Sequence, residues 1–372
     1  MIITVLFYIF VAVTVIQLCY YISFIPFLLH KTTKKPLNEC LPISVIVCAK
    51  NEVINLNKLV PLLLEQDYSS YELVLINDAS NDETLEVMKK FKKNDPRITV
   101  VNVQNNEAFW GNKKYALTLG IKAATHEQLL FTDADCIPAS KNWIQEMSVL
   151  FSESKSKSKS IVIGYGAYLS KKHSFVNLLV RFETLLSAIQ YFSYAKLKAP
   201  YMAVGRNLAY TKSEFFRVNG FINHMQIRSG DDDLFIRDAA TSSNTTIALD
   251  PDSFTFSEAP TSLKKWFRQK RRHVTTASHY TYKHQFFLGL FYSSKLLYFL
   301  LAPFVLVCKP DVITVSIALS YVVFTYLIVG FSAKKLKETS LLYFLPFLEL
   351  FLVLFQFVIF ITNSISKPTH WK

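Results

Sequence analysis

Four apolar runs at the two ends of this chain constrain its fold more than anything else in it. Ile2–Leu29 is almost unbroken, and Phe286–Val307, Val312–Phe331 and Leu341–Ile365 follow after a long polar middle. Each is long enough to cross a bilayer as one helix. Hydrophobic residues make up 51% of the 372 residues and the mean hydropathy is +0.23, high for a soluble enzyme, with the excess at the ends. The first run has no charged leading region and no small-residue cleavage site, which argues against a removable signal peptide. His30, Lys31, Lys34 and Lys35 follow it at once, and Lys334, Lys335 and Lys337 fill the connector Ser332–Ser340. By the positive-inside rule both belong to the cytoplasmic side, so the polar middle lies there too. The CKPD turn and the C-terminus then lie outside. Lys295, inside a span, is expected to snorkel to the cytoplasmic interface or to face a cavity.

The net charge of +13 fits nucleic acid, acidic headgroups or anionic small substrates, and the apolar ends favour a membrane over nucleic acid. The five cysteines (Cys19, Cys40, Cys48, Cys136, Cys308) form no C-x-x-C pair. Neither a zinc site nor a disulfide framework is indicated, and a reduced cytosolic setting fits.

In the middle, strand and helix patterns alternate. Ile43–Ala49, Tyr71–Asn77, Ile98–Val103 and Leu129–Thr132 are short, apolar and β-branched. Between them Asn51–Gln66, a segment opening at a Ser80/Glu83 capping box and running through Lys93, and Lys113–Ala124 have helical spacing. That alternation predicts an α/β domain with a parallel sheet covered on both faces. Neither a G-x-G-x-x-G after the first strand nor a P-loop is present. Ser152–Ser160 is a solvated polar loop, and Ile161–Leu169 returns to strand character. Ser174–Lys198 reads as an aromatic-rich helix, in a core or along the membrane interface. The basic segment Lys264–His273 closes the polar part.

Polar side chains gather where these strands end, which is where open α/β sheets bind ligands. Asp133 and Asp135 follow the fourth strand one residue apart, and two hard oxygen ligands there suit Mg²⁺ or Mn²⁺ carrying a diphosphate. Glu52 follows the first strand, where it can accept hydrogen bonds from a nucleobase or ribose or simply serve a helix N-terminus. Asp78 ends the second strand and suits a base or ribose, whereas Asp82 suits the helix start. Lys113, behind Gly111 and Asn112, can reach a phosphate. Taken singly each has a bland explanation; acids at three of the four strand ends do not fit a solvated-loop pattern.

The succession CAKNE, INDASNDET, GNKKYALTLG and FTDADCIP resembles the nucleotide-sugar half of family 2 glycosyltransferases, which have the GT-A fold. GRNLAY, NGF and SGDDDLFI resemble that family's acceptor half, so the resemblance covers roughly residues 43–275. It implies that Glu52 and Asp78 contact the nucleoside, and that Asp133 and Asp135 hold a divalent cation on the diphosphate. The family's catalytic base is the Asp of an E-D-x-x-L pattern. Counting back from Leu234 places Asp231 there, with Gly230 in place of Glu, so Asp232 stays an alternative and Asp231 is preferred. Mutual repulsion among Asp231, Asp232 and Asp233 is expected to raise at least one of their pKa values. Membrane-bound members carry Q-x-x-R-W, and here Gln269, Arg272 and His273 give Q-x-x-R-H. Arg272 keeps a cation suited to the leaving diphosphate, while His273 replaces the ring expected near the acceptor.

The expected protein is thus a GT-A, Rossmann-like nucleotide-sugar-binding domain with one N-terminal and three C-terminal transmembrane helices. Its expected layout is a helix at 1–30, a basic linker at 31–42, a cytosolic domain at 43–285, three spans at 286–365 and a tail at 366–372. The expected activity is inverting transfer from a nucleoside-diphosphate sugar to a lipid or lipid-linked glycan at the inner or plasma membrane. A processive polysaccharide synthase and a catalytically silent nucleotide-sugar-binding scaffold are the alternatives.

Overall fold

The computed structural model describes residues 1–31, 41–104, 113–152, 159–227 and 229–366. Lys34, Lys35, Pro36, Cys40, Gly111, Asn112 and most of the polar loop expected over Ser152–Ser160 lie outside them. The chain divides into two compact units, one of Lys31–Leu169 and Lys198–Ala259, the other of Met1–His30, Ser170–Leu197 and Pro260–Lys372.

Among the described residues the first unit has ten strands: β1 (Ile43–Ala49), β2 (Tyr71–Asp78), β3 (Ile98–Val103), β4 (Gln128–Asp133), β5 (Cys136–Pro138), β6 (Ile161–Ile163), β7 (Gly166–Tyr168), β8 (Leu208–Thr211), β9 (Thr245–Ile247) and β10 (Thr255–Ser257). Seven form one sheet in the order β3-β2-β1-β4-β8-β6-β9, and β5-β10-β7 form a second. β1, β2, β3 and β4 pair in parallel. β1 and β2 are buried nearly throughout, as expected of parallel strands covered on both faces. The expectation of a parallel sheet needs one correction, because β8 runs antiparallel to both β4 and β6. The predicted single strand Ile161–Leu169 is also two strands, β6 and β7, in different sheets.

Helices Val53–Leu64, Thr84–Asn94 and Lys113–Ala123 follow β1, β2 and β3. Leu56, Leu59, Val60 and Leu63 pack with Val45 and Val47 in the core, at about 25 cal/mol for each Å² of apolar surface removed from water. The Lys113–Ala123 helix approaches β2 so closely that a Cβ at Gly120 would lie 2.1 Å from Ile76 Cδ1. The predicted capping box is not formed. The helix begins at Thr84, whose backbone N–H donates to Asp82 Oδ1 at 3.1 Å. Ser80 Oγ instead accepts from the Asn51 N–H at 3.0 Å, because Asn51 and Ala79 turn at positive φ and bring the two strand-end loops together.

Among the described residues, the second unit holds four helices long and apolar enough to cross a membrane, Ile2–Leu28, Tyr282–Cys308, Val312–Lys335 and Thr339–Ile365. Gln17 Nε2 donates to Phe291 O and to Ser294 Oγ, each at 2.8 Å, tying the first to the second. Lys335 Nζ donates to the carbonyls of Phe27, Leu28 and His30, so the basic ends of the first and third helices lie together. Lys295 is buried and pairs with Glu349 at 2.6 Å, beside Tyr21 and Tyr321. An isolated ammonium there would be far costlier than one held by a carboxylate. Two further helices, Phe175–Lys196 and Leu263–Val274, belong to this unit, joined by a Lys270–Glu183 ion pair. Trp266 of the second stacks on Phe355 at 4.1 Å.

Candidate active site

Where β1, β2 and β4 end, the apolar strand pattern gives way to polar side chains. Asp133 is the last residue of β4. The chain then turns through exposed Asp135 into β5, and ligand atoms of Asp133, Asp135 and Cys136 lie within 4.8 Å of one another. Burial pushes the Cys136 thiol up, so it stays protonated near neutrality. The two carboxylates remain as donors, a hard oxygen set that fits Mg²⁺ or Mn²⁺ better than a thiophilic ion.

Asp231, far along the chain, meets Asp133 through one side chain. Lys113 Nζ lies 2.7 Å from Asp133 Oδ1 and 2.9 Å from Asp231 Oδ2. The turn at Gly230 aims Asp231 there. Gly230 has φ +94°, and a Cβ on it would lie 2.6 Å from Leu234, so the Glu found at this place in the family pattern does not fit this backbone. Burial works against the charge of Asp231, but the Lys113 ammonium outweighs it and holds the carboxyl below its ordinary value. Asp232 differs. Burial, then the charges of Asp231 and Asp233, push it up to about 7. Its Oδ2 accepts from the Gly205 N–H and its Oδ1 from the Asp233 N–H, both at 2.8 Å. Asp232 therefore caps the helix Asp233–Ala239. The repulsion expected among the three aspartates falls on the capping residue, not on Asp231.

Asp78 ends β2 nearly buried, and burial raises its pKa against the pull of Lys50 and Lys113. Glu52 opens the Val53–Leu64 helix and accepts from Asn55 Nδ2 at 2.6 Å. Beside it an open cleft of about 580 Å³ is lined by Asn51, Glu52, Lys58, Asp82, Glu83 and Glu258, among others. Gln269, Arg272 and His273 lie on the Leu263–Val274 helix of the other compact unit.

Several residues of this region went unassigned in the sequence. In the GRN triplet, Gly205 supplies the N–H that Asp232 accepts. Arg206 sits 4.1 Å over the Tyr168 ring and donates to Ala167 O and Ser257 Oγ, at 3.0 and 2.9 Å. Buried Asn207 donates to Tyr165 O and Ser253 O and accepts from Trp143 Nε1. The triplet's resemblance to the acceptor half was the one available signal, and it carried no role for each residue. Lys114 is also buried, with its ammonium on backbone carbonyls.

This sheet, with carboxylates gathered at its parallel strand ends, has the layout of an α/β domain of the GT-A fold. Residues 44–193 match the family model described as Glycosyl transferase family 2. The chain is 24% identical over 197 residues to the 4,4'-diaponeurosporenoate glycosyltransferase of Staphylococcus haemolyticus, covering 53% of this chain and 51% of that one. It is 32% identical over 111 residues to the poly-beta-1,6-N-acetyl-D-glucosamine synthase of Staphylococcus aureus, covering 29% and 26%. The chain thus spans about half or less of the length of the curated relatives it matches. The solved mannosyltransferase PcManGT of Pyrobaculum calidifontis, in complex with GDP-Man and Mn²⁺, superposes with a TM-score of 0.60 at 16% identity, over 91% of this chain and 96% of that one. That likeness is one of fold.

Proposed function

We propose that this chain is a membrane-anchored inverting glycosyltransferase that moves a sugar from a nucleoside-diphosphate sugar to a lipid or lipid-linked glycan. The observation that carries this reading is the Lys113 bridge, which brings Asp133 and Asp231 within one side chain of each other. Asp133 and Asp135 would hold Mg²⁺ or Mn²⁺, and the cation, when bound, supplies positive charge against the diphosphate. Glu52 and Asp78 contact the nucleoside, and Lys113 contributes its ammonium to the phosphates.

Asp231 is the general base. Kept ionised by Lys113, it accepts the proton of an acceptor hydroxyl as that oxygen bonds the anomeric carbon. The bond from that carbon to the diphosphate oxygen breaks on the opposite face, and the diphosphate leaves with the electron pair. Asp232 is the weaker candidate, since both its oxygens already accept backbone N–H groups. Arg272 is assigned to the departing diphosphate, with Gln269 and His273 toward the acceptor. Residues 43–285 act as the catalytic part on the cytoplasmic face of the inner or plasma membrane. The meeting of the basic helix ends at His30 and Lys335 supports that sidedness.

The test incubates membranes containing the protein with a panel of nucleotide sugars and identifies products by mass spectrometry. A glycosylated lipid, lost in Asp135→Ala, supports the proposal, and no product from any donor rejects it. Similarity to a named polysaccharide synthase favours a processive polymerase as the second reading, and a ladder of product lengths would select it.

A further inference from the structure

Two lysines open the same helix turn and make different contacts. Lys113 bridges two carboxylates, whereas Lys114 turns into the protein and is 1% exposed. Its Nζ donates to His224 O at 2.7 Å and to Ile227 O at 2.8 Å. Ile227 N–H in turn donates to His224 O at 3.0 Å, closing a tight turn a few residues before Asp231. Among the described residues the buried His224 ring makes no hydrogen bond at either nitrogen, its Nε2 lying 3.7 Å from Asp238 Oδ2, and burial pulls its pKa down to about 4, so it is a neutral neighbour. The segment carrying Asp231 is therefore pinned on both sides, upstream by Lys114 and downstream by Asp232 on Gly205.

We propose that Lys114 is a positioning residue for transfer, holding the backbone that aims Asp231 at the acceptor hydroxyl. This rests on Asp231 as the base. Lys113 reaches only the Asp231 carboxylate and shares its ammonium with Asp133, whereas Lys114 holds the backbone ahead of Asp231. Lys114 bonds backbone carbonyls, so its hold on the segment is independent of which ligands are present. The placement of two adjacent lysines on one helix end then links donor binding to base geometry. One lysine sets the charge at Asp231, and the other holds the backbone that carries it.

The experiment uses the full chain in detergent or nanodiscs, with Lys114→Met, Lys114→Gln and Lys114→Arg. It reads nucleoside-diphosphate affinity by calorimetry, kcat and KM for transfer, and hydrogen exchange of the peptide carrying Asp231. A base displaced by about 1 Å loses on the order of 100-fold in rate. Lys114→Met should lose about that in kcat, with nucleotide affinity within about threefold of the parent and faster exchange at Asp231. Lys114→Arg, which keeps a cation and several donors, should recover most of the rate. A kcat within about threefold of the parent in Lys114→Met overturns the proposal. So does a loss of nucleotide affinity as large as the loss of rate, which would place Lys114 in the donor cleft. If Lys114→Met does not fold, Lys114→Gln against Lys114→Arg decides by the same split. Should no donor support transfer in the parent while exchange at Asp231 still rises in the variant, the transferase reading fails and the anchoring contact stands.

Discussion

Replacing Lys113 with methionine isolates the contact on which the site turns. Its ammonium lies between Asp133 and Asp231, where it competes with any divalent cation that uses Asp133. The side chains are 24%, 33% and 14% exposed for Lys113, Asp133 and Asp231, so the bridge is neither a surface pair nor a fully buried one. Exposed pairs contribute roughly 0–1 kcal/mol, and breaking a buried one costs about 3–5 kcal/mol. A cation taking Asp133 gives up about half of this bridge, on the order of 1.4 kcal/mol, which is about tenfold in affinity. Methionine keeps most of the volume and removes the charge. Free Mn²⁺ would be counted by electron paramagnetic resonance during titration of the purified, donor-free chain. Lys113→Met should bind Mn²⁺ about tenfold more tightly than the parent while binding a nucleoside diphosphate more weakly, and Asp135→Ala should lose Mn²⁺ binding. An unchanged or weaker Mn²⁺ affinity in Lys113→Met would refute the competition.

Two further outcomes follow from other buried charges. Asp232 has a folded-state pKa of about 7 against an ordinary 3.8, so the fold favours its protonated form. That stabilisation is full below about pH 4 and is lost as pH rises through about 7, so denaturation midpoints should fall across this window. Asp232→Asn should flatten the fall, and an equal slope in both proteins would show that Asp232 is not its source. In the apolar helices, Glu349→Gln should destabilise by about 3–5 kcal/mol by leaving Lys295 uncompensated, and Lys295→Met with Glu349→Met should restore much of it. Detergent-solubilised thermal stability measures this, and a double variant no better than the single one would contradict the pairing.

The parts written locally in the sequence were legible there. The parallel strands β1 to β4 announce themselves by β-branched runs, and the acids follow because strand ends are where the pattern stops. The apolar helices were equally plain from length and hydropathy. What escaped depends on partners distant in the chain. Nothing near Lys295 foretells Glu349, and nothing near Ser80 foretells the Asn51 N–H that takes its hydroxyl away from a helix cap. β8 is four residues long and lies between β4 and β6, so its antiparallel direction is a property of the whole sheet. Nothing in the sequence singled out Lys114, because helical spacing alone does not say which lysine turns inward.

The central claim is that Asp231 acts on a sugar held through Asp133 and Asp135. The most direct measurement compares single-turnover transfer by Asp231→Asn and Asp232→Asn, each with nucleotide affinity recorded on the same sample. Asp231→Asn is expected to bind nucleotide like the parent and transfer nothing, while Asp232→Asn retains transfer. Transfer surviving in Asp231→Asn would contradict that claim.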